Sequence, residues 1–200
     1  MLIMEYADGG TLRRYLTQNF KRMDWNIKLD FAKQIASAVY CLHEHEIVHR
    51  DLVSGLKYHT LNSFQIQKLN HFLIMLFSTQ KTKNNVKIGD FGISKRICEQ
   101  TSQLLKGLGN MKYTDPECLK DPDNYVRNMK SDVYSLGMLF WEISSGRIPF
   151  ESDSLSDNYI SIINGKREKT VEGTPLKYVD IYTGILRNYL LFMINILLSL

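Results

Sequence analysis

The chain has 200 residues, of which 44% are hydrophobic, and this is enough for one globular domain with a buried core. The formal net charge of +4 is small and spread along the chain, so we do not expect nucleic-acid binding. The three cysteines, Cys41, Cys98 and Cys118, have no metal-ligand spacing and are typical of free thiols in the reducing cytoplasm. The N-terminus lacks the basic and apolar regions of a secretory signal.

The first quarter of the chain predicts an extended run followed by two helices. Residues 2–7 read as a strand, and the Gly-Gly-Thr sequence at 9–11 ends it and begins a short helix over 12–16. Between Trp25 and His45 the apolar residues recur at helical spacing, with Asp24 just ahead as a predicted N-cap. This pattern predicts a long amphipathic helix with one buried face.

The rest of the chain predicts two short strands and two further helices. The strands are expected at Ile47-Val48 and Val86-Lys87-Ile88. The segment 131–145 is apolar on nearly every side, which is typical of a helix at the centre of a domain. Gly146 is expected to end this helix, and a third strong helix is predicted from Leu155 to near Gly165.

Five motifs follow one another in a fixed order, namely His49-Arg50-Asp51-Leu52, Asp90-Phe91-Gly92, Tyr113-Thr114-Asp115-Pro116-Glu117, residues 131–137 and residues 146–150. In this order they resemble the protein kinase family, in its tyrosine-kinase-like style, over residues 2–52 and 87–182. The resemblance implies a mainly α fold with short β-strands, the large C-terminal lobe of a protein kinase. The implied function is ATP- and Mg²⁺-dependent phosphoryl transfer to protein hydroxyls, with serine and threonine favoured over tyrosine.

The catalytic role in this family falls on the His-Arg-Asp motif. By resemblance, Asp51 is the base that accepts the proton of the substrate hydroxyl. Arg50 offers donors that could bind a phosphate on the activation segment, with Thr101 and Ser102 as candidates for the modified residues. His49 is expected to be a packed, hydrogen-bonded residue of the motif.

The family also implies a metal ligand and several supporting residues. Asp90 would bind the magnesium ion that bridges the nucleotide phosphates, Phe91 would pack beneath it, and Gly92 would free the backbone beside it. Pro116-Glu117 belongs to the end of the activation segment. Asp132 is expected to hydrogen-bond the backbone of the His-Arg-Asp loop, because an unpaired carboxylate on an apolar helix would be costly.

The residues Met4, Glu5, Tyr6 and Ala7 look like the family's nucleotide-binding hinge. Met4 would lie at the back of the adenine pocket. The carbonyl of Glu5 and the amide of Ala7 would pair with the adenine edge, which needs one acceptor and one donor at fixed spacing.

The sequence departs from the family inside the catalytic loop and before the hinge. The small lobe, with its glycine-rich loop and phosphate-binding lysine, is expected to be absent. The family places an asparagine that binds a second magnesium at the fifth position after the catalytic aspartate, and this chain has Leu56 there. Asp51 and Asp90 lie 39 positions apart, about twice the roughly 18–20 that the family motifs lead us to expect. Residues 53–80 are therefore predicted to be an atypical insert.

The C-terminal end departs as well. Where the family has an arginine that pairs with the glutamate at the position of Glu117, residues 183–200 form an apolar tail. Because a buried carboxylate that loses its partner is costly, we expect Glu117 to find water or another cation in place of that arginine. The tail is shorter than a spanning helix of about 20 residues, so membrane association is not expected. One hypothesis is that 53–80 and 184–200 are translated non-coding sequence.

These observations predict a partial kinase domain over residues 1–182 and a tail over 183–200. The expected partners are ATP and a protein substrate, and the chain itself is expected to have little or no activity. Two other classes stay open. One is a pseudokinase or scaffold module that binds proteins without catalysis, and the other is a tail-anchored membrane protein.

Overall fold

The computed structural model describes residues 10–53, 58–59, 85–86, 88, 94–96, 111–151 and 155–187. Within these residues the chain is mostly helical with short strands, as predicted. The helices are α1 (Leu12–Asn19), α2 (Trp25–Glu44), α3 (Pro116–Lys120), α4 (Met129–Ser145), α5 (Leu155–Ile163) and α6 (Leu176–Arg187). The strands are β1 (Ile47–Val48), β2 (Tyr58–His59), β3 (Asn85–Val86) and β4 (Lys95–Arg96), and 3₁₀ turns span Phe20–Arg22 and Met111–Tyr113.

Side-chain caps fix the starts of α1 and α2. The Thr11 hydroxyl accepts a hydrogen bond from the backbone N–H of Arg14 at 3.2 Å. A carboxylate oxygen of Asp24 accepts one from the N–H of Ile27 at 2.9 Å. Each cap satisfies a backbone donor that the first helical turn leaves without a partner. The predicted N-cap at Asp24 is confirmed, and α2 extends over almost the range that its apolar spacing predicted.

Helix α4 lies at the centre of the described core, as its apolar sequence predicted. It packs against α2, α6 and the Met111–Tyr113 turn. It begins two residues earlier than predicted, because Asn128 caps it: the N–H of Lys130 donates to the Asn128 side chain at 2.8 Å. It ends at Gly146, which adopts the left-handed conformation (φ 70°) that favours glycine.

Helix α6 was not predicted from the sequence. It runs across residue 182, where the sequence suggested that the kinase-like part ends. Tyr178, Ile181 and Tyr182 are buried, and the Tyr178 hydroxyl donates a hydrogen bond to the backbone carbonyl of Phe140 on α4 at 3.0 Å. These three side chains therefore pack into the described core.

The strands form two antiparallel pairs. In the pair of β1 and β4, Ile47 lies opposite Arg96 and Val48 opposite Lys95. The pair of β2 and β3 joins the predicted insert to the segment after it, with Tyr58 opposite Val86. The strand predicted at 86–88 therefore begins one residue earlier, and Ile88 is buried beyond its end.

Four large side chains of α4 and the loop after it are buried, namely Tyr134, Leu136, Trp141 and Phe150. Helix α5 covers the predicted range, and it packs against α3. Among the described residues, no helix combines the length and the apolar character needed to cross a bilayer.

Candidate active site

The His-Arg-Asp motif follows directly after β1 and lies against the start of α4. His49 is fully buried, and Arg50 and Asp51 are partly exposed. Arg50 has a positive φ of 74°, which is uncommon for a residue other than glycine. A residue held in such a conformation needs surrounding contacts to keep it there.

Asp132, in the first turn of α4, supplies those contacts. Its carboxylate accepts hydrogen bonds from the backbone N–H of His49 at 2.7 Å and of Arg50 at 2.8 Å. The imidazole Nε2 of His43 lies 3.1 Å from the same carboxylate. Asp132 is almost fully buried, so these donors replace the water that its charge would otherwise need. These are the backbone hydrogen bonds that the family resemblance led us to expect.

His49 is hydrogen-bonded within the loop itself. The backbone N–H of Asp51 donates to Nδ1 of His49 at 3.3 Å. The hydroxyl of Ser94 donates to the carbonyl of His49 at 3.1 Å. These contacts orient the backbone that carries Asp51.

Arg127 is a feature of the site that the sequence did not reveal. It is nearly buried, and its Nη1 donates to the backbone carbonyl of Arg50. Burial lowers the pKa of Arg50, the positive charge of Arg127 adds to this, and Asp132 opposes it. In the described part of the chain, the buried Nε of Arg50 and the Nε and Nη2 of Arg127 have no hydrogen-bond partner.

The cavity at this point is small. Residues that line it include Arg50, Asp51, Tyr113, Thr114 and Arg127, and its volume is about 10 Å³. That volume holds about one water molecule. The cavity thus lies between the His-Arg-Asp loop, the residues after the Met111–Tyr113 turn and the start of α4. The described residues contain no cluster of three or more acidic, histidine or cysteine side chains suited to a metal ion.

A buried carboxylate on α4 connects this cavity to α1. Glu142 is fully buried, and it accepts hydrogen bonds from the Tyr113 hydroxyl at 2.5 Å and from Nη1 of Arg13 at 2.8 Å. Burial raises the pKa of Glu142, and the hydrogen bond from Tyr113 and the charge and hydrogen bond of Arg13 oppose that rise. Ser135 on α4 donates to the carbonyl of Tyr113 at 2.7 Å. The turn that carries Tyr113 is thus fixed to α4 at two atoms.

Glu117 meets both water and a cation, as predicted for a glutamate without the family's arginine. Its side chain is 59% exposed. It pairs with Lys120 at 2.7 Å on the same short helix. Because water reaches this carboxylate, the large cost of a buried unpaired charge does not arise. Pro116 is buried at the first position of α3.

Several predicted site residues lie outside the described residues. These are the hinge residues Met4, Glu5, Tyr6 and Ala7, the metal ligand Asp90 with Phe91 and Gly92, the candidate phosphorylation sites Thr101 and Ser102, and the substituted position Leu56. Their roles stay predictions.

Comparison with known proteins decides the family. A family model described as protein tyrosine and serine/threonine kinase matches residues 1–187. The chain belongs to the protein kinase family. The match ends at the last residue of α6, five positions beyond the boundary that the sequence suggested.

Individual kinases match most of the chain. It is 30% identical to a probable serine/threonine-protein kinase, PknB, of Lactococcus lactis over 76% of this chain and 21% of that protein. It is 36% identical to the dual specificity protein kinase splA of Dictyostelium discoideum over 74% of this chain and 6% of that protein. It is 32% identical to the serine/threonine-protein kinase Nek8 of Danio rerio over 98% of this chain and 24% of that protein.

The kinase chain thus spans about a quarter or less of the length of these relatives. All three are named as kinases, so the comparisons do not favour a scaffold module or a tail-anchored membrane protein.

Proposed function

We propose that this kinase domain transfers a phosphoryl group from ATP to a hydroxyl of a protein substrate, with Asp51 as the catalytic base. The observation that carries the proposal is the double hydrogen bond from His49 and Arg50 to Asp132. Phosphoryl transfer asks the protein mainly for positioning and charge stabilisation. A buried carboxylate on the central helix, bonded to two consecutive amides, is a rigid support for the residue that follows them.

Further roles come from the family motif. Asp90 binds Mg²⁺, which prefers hard carboxylate oxygens, and Glu5 and Ala7 bind the adenine edge through their backbone. When bound, ATP supplies the transferred group and Mg²⁺ neutralises its developing charge. Arg50 and Arg127 line the same small cavity as Asp51 and supply buried cationic donors, which suits binding of a phosphate on Thr101 or Ser102.

Serine and threonine are the proposed acceptors. Two of the three relatives are named as serine/threonine kinases and one as a dual specificity kinase. The proposed setting is the cytoplasm, where free cysteines such as Cys41 and Cys118 persist. The described residues correspond to the large lobe of a kinase domain.

Weak activity is part of the proposal. Leu56 offers no oxygen or nitrogen donor where the family's asparagine binds the second magnesium ion. The insert at 53–80 lengthens the connection between Asp51 and Asp90 to 39 positions. Sequencing the mature transcript across codons 52–81 tests whether the insert is genuine: an uninterrupted message that encodes it contradicts the hypothesis of translated non-coding sequence.

An assay with radiolabelled ATP tests the function. The full chain, with Mg²⁺ and dephosphorylated casein, is expected to transfer phosphate slowly. Asp51→Asn removes the base and should abolish transfer, whereas Leu56→Asn restores a metal ligand and should raise it. Asp123→Asn, at an exposed position outside the site, is the matched control for Asp51→Asn. Transfer that survives Asp51→Asn unchanged would overturn the assignment of the base.

A further inference from the structure

A groove with basic walls lies between the C-terminal end of α1 and the loop that follows α4. Its volume is about 640 Å³, within the range of about 300–1,000 Å³ that is usual for ligand sites. Four cationic side chains line it, namely Arg13, Lys21, Arg22 and Arg147. Glu151 is the one acidic residue among the lining residues that the structure describes.

The positive charge of this groove arises from the local sequence. From Gly9 to Met23 there are four Arg or Lys residues and no acidic residue. Of the four lining cations, Arg13 forms an ion pair with Glu142. Within the described part of the chain, Lys21, Arg22 and Arg147 take part in no ion pair. An exposed cation is ordinarily just solvated, but these three converge on one concave surface.

The walls of the groove are held in place by buried contacts. Nη2 of Arg13 donates to the carbonyl of Gly146 at 2.5 Å, which fixes α1 to the end of α4. The ring of Phe20 packs directly against Gly146, leaving no room for a Cβ atom there. The guanidinium of Arg147 lies 5.6 Å from the centre of the buried Trp141 ring, within cation–π range. The cations are therefore presented on a preformed surface.

Apolar side chains form the floor between the cations. Leu16, Phe20 and Ile148 line the same groove. A surface that combines an apolar floor with cationic walls suits a peptide, whose apolar side chains can pack while its carboxylates meet the cations. Nucleic acid would instead favour a longer basic strip along the surface, and the net charge of the chain is only +4.

We propose that this groove binds an acidic segment of a partner protein, with Asp or Glu side chains that pair with Lys21, Arg22 and Arg147. The proposal concerns binding alone and does not require phosphoryl transfer. It therefore goes beyond the proposed kinase activity, and it stands or falls independently of that activity.

Fluorescence anisotropy with the full chain tests the proposal. The probe is a labelled ten-residue peptide in which glutamate alternates with leucine and serine. Binding is expected at low salt and should weaken as salt is raised. The triple variant Lys21→Glu, Arg22→Glu, Arg147→Glu is expected to weaken it about tenfold or more, because each reversal replaces an attraction with a repulsion.

A second triple variant supplies a control with the same net charge. Arg14→Glu, Lys130→Glu and Lys177→Glu reverse three exposed cations that do not line the groove. This variant should bind the peptide nearly as well as the unaltered chain. Equal losses in the two triple variants would show attraction to net charge alone, and they would overturn the proposal. A single-stranded oligonucleotide of equal charge that binds more tightly, and loses binding in the groove variant, would also overturn it.

A measurement on the unaltered chain avoids any folding defect of the variants. Carbodiimide joins a carboxylate to an amine only where the two are in contact. The glutamates of the peptide are expected to become linked to Lys21 in preference to Lys177, and mass spectrometry of the digested product shows the linked residue. Linkage spread evenly over the exposed lysines would contradict the assignment of the groove.

Discussion

Asp132 shows what one buried carboxylate contributes to the catalytic loop. It accepts from two consecutive backbone amides, His49 and Arg50, and it contacts His43. The positive φ of Arg50 is strained for a residue with a side chain. The two hydrogen bonds to Asp132 offset that strain, so this side chain is a main support of the loop's conformation.

Asp132→Asn is expected to loosen the loop. The amide of asparagine keeps one acceptor oxygen, but its NH₂ group faces a second backbone N–H and cannot accept from it. Leaving a buried donor without a partner costs about 1–3 kcal/mol of the free energy of unfolding. Urea denaturation measures that loss, and hydrogen exchange should show faster exchange at the amides of His49 and Arg50. Asp123→Asn, at an exposed position, should change stability by less than about 0.5 kcal/mol. Equal effects of the two variants would contradict this role.

The raised pKa of Glu142 predicts how the stability of the domain changes with pH. Its folded-state pKa is raised above the ordinary 4.5, chiefly by burial. The folded state therefore binds its proton more tightly than the unfolded state does. Its contribution to stability is fully present below pH 4.5 and declines as pH rises through the folded-state pKa.

The variant Glu142→Gln isolates this effect. The other titrating groups are common to both proteins, so their contributions cancel in the difference. We expect the unaltered chain to lose stability relative to Glu142→Gln as pH rises from below 4.5 toward neutrality. Urea denaturation at a series of pH values measures the difference. A difference that is flat, or that grows in favour of the unaltered chain, would show that burial does not dominate the pKa of Glu142.

The sequence could point to Asp132 but not to Arg127 or Glu142. Asp132 lies in a motif whose family role is known, so its partners could be named in advance. Arg127 lies 77 positions from Arg50, and Arg13 lies 129 positions from Glu142. No spacing rule relates residues so far apart, because the fold alone brings them together. The missing arginine predicted that Glu117 would find water or another cation, and its side chain is indeed exposed and pairs with Lys120.

At the scale of elements, the junction of α1 with α4 depends on Gly146. This glycine ends α4 with a φ of 70°, and a Cβ atom on it would lie 2.5 Å from Cγ of Phe20. Gly165, after α5, has a φ of 90°, but a Cβ atom there would meet nothing within 4 Å. Alanine substitutions at the two glycines therefore allow the cost of backbone strain to be measured separately from the cost of a collision with Phe20.

Gly165→Ala should lower the free energy of unfolding by about 1–2 kcal/mol, through backbone strain alone. Gly146→Ala should cost that amount plus about 1–3 kcal/mol for the collision with Phe20. Chemical denaturation of both variants measures the difference. Phe20→Leu, added to Gly146→Ala, should restore part of the stability because the smaller side chain gives way. If the two alanine variants lose the same stability, the close approach of Phe20 to Gly146 is not a tight contact.

The elements that the sequence predicted well are those with local signals. The apolar spacing of α2 and the apolar composition of α4 identify helices by themselves, and Asp24 and Gly146 mark an end of each. Helix α6 has weaker signals, because Gly184 lies inside it and its apolar residues merge with the tail. Its place in the fold rests on the contact of Tyr178 with Phe140, 38 positions away. The pairing of β2 with β3 is likewise a long-range contact.

At the scale of the whole molecule, α4 is the element on which the other parts converge. Its first turn supports the catalytic loop through Asp132, its middle holds the Met111–Tyr113 turn through Ser135 and Glu142, and its end meets α1 at Gly146. Helix α6 covers α4, with Tyr178 fully buried between α4 and Trp25 of α2. Removing α6 would therefore expose the element that positions the catalytic site.

Two shortened chains test whether α6 is part of the domain. A chain that ends at Arg187 keeps all of α6, and a chain that ends at Pro175 removes it. The second loses the buried side chains of Tyr178, Ile181 and Tyr182, each worth about 1.5–3 kcal/mol. The sum is comparable to the whole stability of a domain, about 5–15 kcal/mol. We expect cooperative thermal unfolding by circular dichroism for the first chain and none for the second. Equal unfolding midpoints would mean that α6 adds nothing to the stability of the fold, and they would contradict this role.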